Sequence, residues 1–304
     1  MLPGLSAVRS EAWPIGISNR IHESPSSVYV LNRAVAHRLA APHILPHSLL
    51  VPRSFVISLV SVYKAFGPKQ VLKGFSLEVP EGDTVALIGG SGTGKSVAIK
   101  HIVGLLAPDK GTVWVDGLEV PSLDRPSLYR LRAKIGYVFQ FAALFDSLNV
   151  GDNVAMGLRR QDALSPRDIN ERVREALTLV ELPDSADVMP SDLSGGMRKR
   201  VGIARAIALR PKYLLYDEPT TGLDPVTSAV INELILRMQR TLGVTSLVVT
   251  HDMKSAYAVA SRIAMLYDGT VRQVGTVEEI RRTDDPVVRG FIEGRADFNA
   301  ERVA

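Results

Sequence analysis

The chain has 304 residues, of which 46% are hydrophobic and 22% are charged, a composition ordinary for a globular protein with a sizeable core. The absence of cysteine excludes disulfides, thiolate metal sites and cysteine nucleophiles. The formal net charge is +4, and residues 1–54 carry most of it, with five arginines against two glutamates. The remainder is therefore nearly neutral, which argues against a nucleic-acid binder that relies on bulk charge.

Residues 1–54 contain six prolines and no lysine, and they show no sustained hydrophobic period. Two interpretations stay open: a disordered or loosely attached N-terminal extension, or a start site assigned too far upstream. The chain also lacks any run of 18 apolar residues and any pattern typical of a secretory leader. We therefore expect a cytoplasmic protein.

Regular structure is predicted from Phe55 onward. Residues 56–62 and 75–79 alternate as strands do, and residues 84–88 form the continuous apolar run of a strand buried on both faces. A glycine-rich loop follows, then an apolar-periodic helix over 96–106 and a strand over 111–115.

The glycine-rich loop has the pattern of a phosphate-binding loop, set between a strand and a helix as that function requires. Glycines allow main-chain N–H groups to converge on a phosphate, and the helix N-terminus adds partial positive charge. Lys95 is predicted to reach the β- and γ-phosphates, and the Ser96 hydroxyl is predicted to bind Mg²⁺. The predicted nucleotide-binding residues of this loop are Gly89, Gly90, Ser91, Gly92, Thr93, Gly94, Lys95, Ser96 and Val97.

Further along, residues 141–205 are predicted to be rich in helix, including an amphipathic helix over 169–182. Short apolar runs at 213–216, 246–250 and 263–267 predict buried strands, with a helix over 226–242. This alternation indicates an α/β fold with a parallel sheet between helices. The first of these strands ends in Asp217 and Glu218, which we expect to hold the metal through water and to polarise the attacking water, respectively.

Six segments in this order resemble the nucleotide-binding subunit of ABC transporters, over residues 55 to about 280. They are the glycine loop, Gln140 in Tyr-Val-Phe-Gln, Leu-Ser-Gly-Gly-Met at 193–197, Asp217-Glu218, Gly-Leu-Asp at 222–224 and Thr-His-Asp at 250–252. The resemblance implies an ABC ATPase domain over 55–280, followed by a C-terminal tail over 281–304. Its fold would be a P-loop NTPase (RecA-like) parallel sheet with an antiparallel β subdomain and an inserted helical subdomain at 141–205.

The resemblance also implies a homodimer in which each ATP lies between the glycine loop of one subunit and the Ser194, Gly195 and Gly196 of the other. Gln140 would sense the metal and the water, His251 would bond the γ-phosphate, and Asp224 would couple the two sites. Glu218, His251, Gln140 and Lys95 would form the catalytic set, with Ser96, Gln140 and Asp217 at the Mg²⁺. The adenine would stack on Phe66, or on Tyr63 as the second choice.

Three strings are similar to the ATPases of Mla/Mce-type lipid transporters: Leu-Ser-Gly-Gly-Met-Arg-Lys-Arg at 193–200, residues 143–150 and residues 284–289. This resemblance implies a peripheral subunit at the cytoplasmic face of the inner membrane. Its partners would be a permease docking near Gln140 to Phe145, an Mce-type lipid-binding protein and a small accessory subunit. An ABC transporter for another solute, or a permease-free ABC ATPase acting on nucleic acid, remains the alternative.

Overall fold

The computed structural model of the chain describes residues 55–161 and 163–295. The predictions for residues 1–54 and for the end of the C-terminal tail lie outside these ranges. The strands are β1 (Phe55–Phe66), β2 (Lys69–Pro80), β3 (Thr84–Ile88), β4 (Lys110–Val115), β5 (Leu118–Glu119), β6 (Ile135–Val138), β7 (Tyr213–Asp217), β8 (Thr245–Thr250), β9 (Arg262–Tyr267) and β10 (Thr270–Thr276). The helices are α1 (Lys95–Ile102), α2 (Arg125–Ala133), α3 (Val150–Ala155), α4 (Pro166–Leu179), α5 (Gly195–Ile207), α6 (Pro225–Leu242), α7 (Met253–Val259), α8 (Val277–Arg281) and α9 (Pro286–Ile292).

The larger sheet has the strand order β10-β9-β3-β8-β7-β6. All its pairings are parallel except that of β9 with β10, which form an antiparallel hairpin at one edge. Every residue of β3, β7 and β8 is buried, because helices or the second sheet cover both faces. The continuous apolar runs of the sequence arise from this double burial.

Alternate residues of β7 enter different cores. Tyr213 and Leu215 pack with the antiparallel sheet and α1, whereas Leu214 and Tyr216 pack with α3 to α6. The alternation follows from the two-residue period of a strand. The two cores therefore pack on opposite faces of β7, the strand whose last residue is Asp217.

The smaller sheet is antiparallel, with the order β2-β1-β4-β5. Its apolar face packs on β3, α1 and α2 in a shared core. The predicted fold, a parallel core sheet with an antiparallel sheet and inserted helices, is confirmed. The division of the chain at residues 55, 141, 205 and 280 stays a prediction.

Two predicted helices have wrong bounds for local reasons. Helix α1 ends at Ile102 rather than at residue 106, because Gly104 takes a left-handed φ of 64°. Helix α4 runs over Pro166–Leu179 rather than 169–182, because Ser165 and Asp168 form a capping box at its start. Among the helices of residues 55–161 and 163–295, none is long and apolar enough to cross a membrane.

Candidate nucleotide-binding site

Three adjacent strands of the larger sheet end beside one another and carry the predicted site. Ile88, the last residue of β3, pairs with Thr250 at the end of β8, and Asp217 at the end of β7 pairs with Val249. The glycine loop, the acidic pair and His251 follow these strand ends directly. Ligands of open α/β sheets bind at this edge, outside the carboxyl ends of the strands.

The glycine loop requires glycine where it touches the rest of the fold. A Cβ on Gly89 would lie 2.4 Å from the carbonyl oxygen of Leu266, and one on Gly94 would lie 2.8 Å from Cγ1 of Val71. Gly94 also has a φ of 111° and precedes the first residue of α1. The loop therefore leads directly into the N-terminus of α1, where main-chain N–H groups have no partner within the helix and can bind an anion.

The Lys95 side chain folds back over this loop and is buried. Its Nζ donates to the carbonyl oxygens of Gly89 and Gly90, each at 2.9 Å, and lies 3.5 Å from Oε1 of Glu218. Burial lowers the pKa of the Lys95 amine, and the charges of Glu218 and Asp217 oppose that shift. The Lys95 amine thus lies between the glycine loop and the acidic pair, Asp217 and Glu218.

Glu218 is held from two further sides. Its Oε2 accepts a hydrogen bond from the Thr221 hydroxyl at 2.9 Å and lies 2.8 Å from Nδ1 of His251. Glu218 also has a left-handed φ of 50°, which is uncommon outside glycine. Strained backbone of this kind occurs at functional sites, where the surrounding structure maintains it.

Both carboxylate oxygens of Asp217 accept a hydroxyl. Ser96 donates to Oδ1 at 2.7 Å, and Tyr137 donates to Oδ2 at 3.0 Å. Burial, with the nearby Asp217 charge, raises the pKa of Tyr137, so its hydroxyl stays a donor. Ser96 and Asp217 supply the hard oxygen atoms that Mg²⁺ prefers, and one or two such protein ligands are usual when phosphates supply the rest.

The Leu-Ser-Gly-Gly-Met segment at 193–197, which we call the signature, lies at the start of α5, away from the protein interior. The Ser194 hydroxyl accepts from the main-chain N–H of Met197 at 3.2 Å and so caps the helix. Ser194 and Gly195 are exposed, and a Cβ on Gly196 would meet Cγ2 of Thr227 at 2.5 Å. The first turn of α5 therefore presents its N–H groups at the surface.

Gln140 is joined to this helix through its main chain. The buried Lys199 of α5 donates from Nζ to the carbonyl oxygen of Gln140 and, at 3.2 Å, to that of Glu218. Burial lowers the pKa of Lys199, and the charges of Glu218 and Asp217 oppose that shift. One cation thus connects the signature helix, the segment after β6 and the acidic pair.

The remaining predicted residues lie nearer the surface. Asp224 caps α6, accepting from the main-chain N–H groups of Val226 and Thr227 at 2.9 and 3.0 Å. Phe66 ends β1 with an exposed ring, and Lys64 Nζ lies 5.8 Å from its centroid. The Tyr63 ring lies against Gly74. Both rings are partly exposed, Phe66 at 47% and Tyr63 at 40%.

Comparison with known proteins agrees with this geometry. The model of the ABC transporter family matches residues 72–221. The probable ribonucleotide transport ATP-binding protein mkl of Mycobacterium leprae is 38% identical over 81% of this chain and 71% of its own length. The intermembrane phospholipid transport system ATP-binding protein MlaF of Escherichia coli is 39% identical over 76% of this chain and 86% of its own. The chain belongs to the ABC transporter family.

A solved ABC cassette shows the same fold. The dimeric post-hydrolysis structure of the ATP-binding cassette MJ0796, bound to ADP and Pi, is 35% identical and superposes with a TM-score of 0.67, covering 73% of this chain and 98% of that one. Like other ABC cassettes, this chain is an ATPase that works in transport. Homodimers and a membrane permease as partner are general for the family.

Two side chains of this ABC site were not predicted as functional residues. Tyr137 lies three residues before Gln140, but the sequence does not tell that its hydroxyl meets Asp217. Lys199 is the middle residue of three consecutive cations. It lies four residues before Ile203 and eight before Ile207, and this helical spacing places it on the buried face of α5. That spacing could have identified Lys199.

Proposed function

We propose that this chain is the ATP-hydrolysing subunit of a transporter that moves phospholipid or a related lipid between membranes. The ATPase part of this proposal is supported by one observation: Lys95, Glu218, His251 and Asp217 lie together at the edge of the sheet. The lipid part is supported by the likeness to MlaF and by the three Mla/Mce-like strings.

In this proposal, residues 89–97 hold the phosphates and Lys95 leaves the loop carbonyls for the β- and γ-phosphates. Ser96 and Gln140 would hold Mg²⁺, with Asp217 holding it through water, and the bound ion would neutralise phosphate charge. Glu218 polarises the attacking water, and His251 bonds the γ-phosphate and orients Glu218. Phe66, with Tyr63 as the alternative, stacks on the adenine.

Two copies act head to tail. The exposed N–H groups at Ser194, Gly195 and Gly196 of one copy complete the pocket around the γ-phosphate on the glycine loop of the other. Asp224 couples the two pockets across the dimer, in addition to capping α6.

An apolar groove beside Gln140 receives the permease. It has a volume of about 380 Å³, and the side chains that line it include Tyr137, Phe139, Phe145 and Met156. Phe141, the residue after Gln140, is 81% exposed. Exposed aromatic side chains clustered in this way are typical of protein interfaces. Docking there places the subunit on the cytoplasmic face of the inner membrane, with an Mce-type lipid-binding protein and a small accessory subunit in the same assembly.

Purification of the assembly from native membranes tests this function. We expect the tagged chain to retain a permease and an Mce-type protein, and mass spectrometry to detect bound phospholipid. The likeness to mkl, a probable ribonucleotide transport protein, favours a second candidate, transport of a ribonucleotide. A permease without an Mce-type partner, and ATPase activity stimulated by a ribonucleotide other than ATP rather than by phospholipid, would support that candidate and contradict ours.

A further inference from the structure

Tyr137 belongs to two sites at once. It is one of the residues that line the apolar groove beside Gln140, and its ring lies 4.5 Å, centroid to centroid, from the ring of Phe139, another lining residue. Its hydroxyl, at the other end of the side chain, donates to Oδ2 of Asp217 at 3.0 Å. A group that enters the groove therefore touches the same rigid side chain that holds this carboxylate.

The hydrogen bond restrains Oδ2, the Asp217 oxygen that Ser96 does not bind. Because Ser96 occupies Oδ1, Tyr137 and Ser96 together fix the rotation of the Asp217 carboxyl group. Donors that hold a ligating carboxylate in this way tune metal affinity without touching the metal. The strand pairing of Val138 with Tyr216 keeps β6 beside β7, so the separation of Tyr137 from Asp217 is set by the sheet.

We propose that Tyr137 is a positioning residue that links occupancy of the groove to the metal affinity of Asp217. The proposal rests on the proposed function, in which Asp217 holds Mg²⁺. An occupant that shifts the aromatic ring shifts the hydroxyl with it, because a phenol has no flexible joint between the two. The groove therefore acts on the metal site through one side chain.

Tyr216 provides a matched control. It is fully buried in the neighbouring strand, but its hydroxyl has no hydrogen-bond partner and its ring does not line the groove. Tyr137→Phe and Tyr216→Phe each remove one hydroxyl and keep the ring. Only the first removes a donor to Asp217.

The test measures affinity for Mn²⁺, used in place of Mg²⁺, by electron paramagnetic resonance on the full chain with ATP. All variants carry Glu218→Gln so that ATP persists. We expect Tyr137→Phe to weaken Mn²⁺ binding about tenfold, and Tyr216→Phe to change it by less than about twofold. Equal affinities for the two variants would overturn the proposal.

A second arm tests the link to the groove, using the absence of native cysteine. A bulky maleimide is attached at Met156→Cys, in the groove, or at Thr178→Cys, exposed on α4. We expect the groove label to weaken Mn²⁺ binding about threefold with Tyr137 present and to add nothing in Tyr137→Phe, since coupled sites are non-additive. The same loss in both backgrounds would overturn the proposed link.

Failure of the proposed function and failure of this inference alone give different results. If Asp217→Asn binds Mn²⁺ as tightly as the chain with Asp217 intact, the assignment of Asp217 to the metal fails and the inference fails with it. If Asp217→Asn weakens Mn²⁺ binding but Tyr137→Phe does not, the proposed function stands and the inference alone fails.

Discussion

Nδ1 of His251 lies 2.8 Å from Oε2 of Glu218, although the histidine side chain is 55% exposed and the glutamate only 10%. A carboxylate can only accept, so Nδ1 carries the hydrogen of this bond. The exposed imidazole therefore lies over a buried carboxylate at the mouth of the pocket. This arrangement suits a glutamate that acts on one water molecule while the histidine controls its orientation.

Replacement of that carboxylate should separate binding from turnover. We expect Glu218→Gln to bind ATP as the wild type does and to lose roughly 10²–10⁴-fold in turnover, the usual contribution of a positioned base. The variant should also accumulate a stable ATP-bound dimer, which size-exclusion chromatography would detect. Hydrolysis at the wild-type rate would remove Glu218 from the mechanism.

Lys199 should matter for catalysis without binding nucleotide. We expect Lys199→Met to lower kcat about tenfold while the KM for ATP stays within about twofold, because the lost bonds position Gln140 and Glu218 rather than the phosphates. Lys199→Arg should restore part of the rate. Lys212→Met, which alters an exposed cation, is the control, and equal effects of Lys199→Met and Lys212→Met would contradict this role.

ATP affinity should fall at alkaline pH because of Lys95. Its pKa is lowered by burial below the usual 10.5, so the free protein loses this proton sooner than a free lysine would. Phosphate favours the charged amine, so ATP binding must then take up a proton, and affinity should fall by up to about tenfold per pH unit above the lowered pKa.

Calorimetric titrations with ATP from about pH 8 to 10, with circular dichroism to monitor folding, would measure this fall. Lys95→Arg is the control, because a guanidinium stays charged throughout. We expect weaker but nearly pH-independent binding by that variant. A wild-type affinity that is flat over the range would contradict the prediction.

The groove beside Gln140 should be needed for assembly and not for folding. Phe145 is 53% exposed, so a charge there costs the free subunit little but would be buried against a permease. We expect Phe145→Asp to keep its melting temperature and basal ATPase activity and to lose the permease on purification. Leu105→Asp, at a similarly exposed apolar side chain outside the groove, should keep it. Retention of the permease by Phe145→Asp would contradict the docking surface.

The sequence predicted the strand ends that carry the candidate site, because local patterns determine them. Apolar runs identified the strands that end at Ile88, Asp217 and Thr250, and parallel pairing brings those ends together. Contacts between distant segments could not be read from such patterns. The hydrogen bond from Tyr137 to Asp217 spans 80 residues, and the bond from Lys199 to the Gln140 carbonyl spans 59. These contacts depend on how β6 and α5 pack, which no motif specifies.

We propose that two copies share each ATP pocket, and mixed dimers test this sharing most directly. Lys95→Ala and Ser194→Arg should each be inactive alone, because both pockets of either homodimer are defective. Mixed in equal amounts after dissociation, they form dimers in which one pocket has an intact glycine loop and an intact signature. We predict recovery of roughly a quarter of the wild-type ATPase activity. A mixture as inactive as its components would contradict the shared pocket.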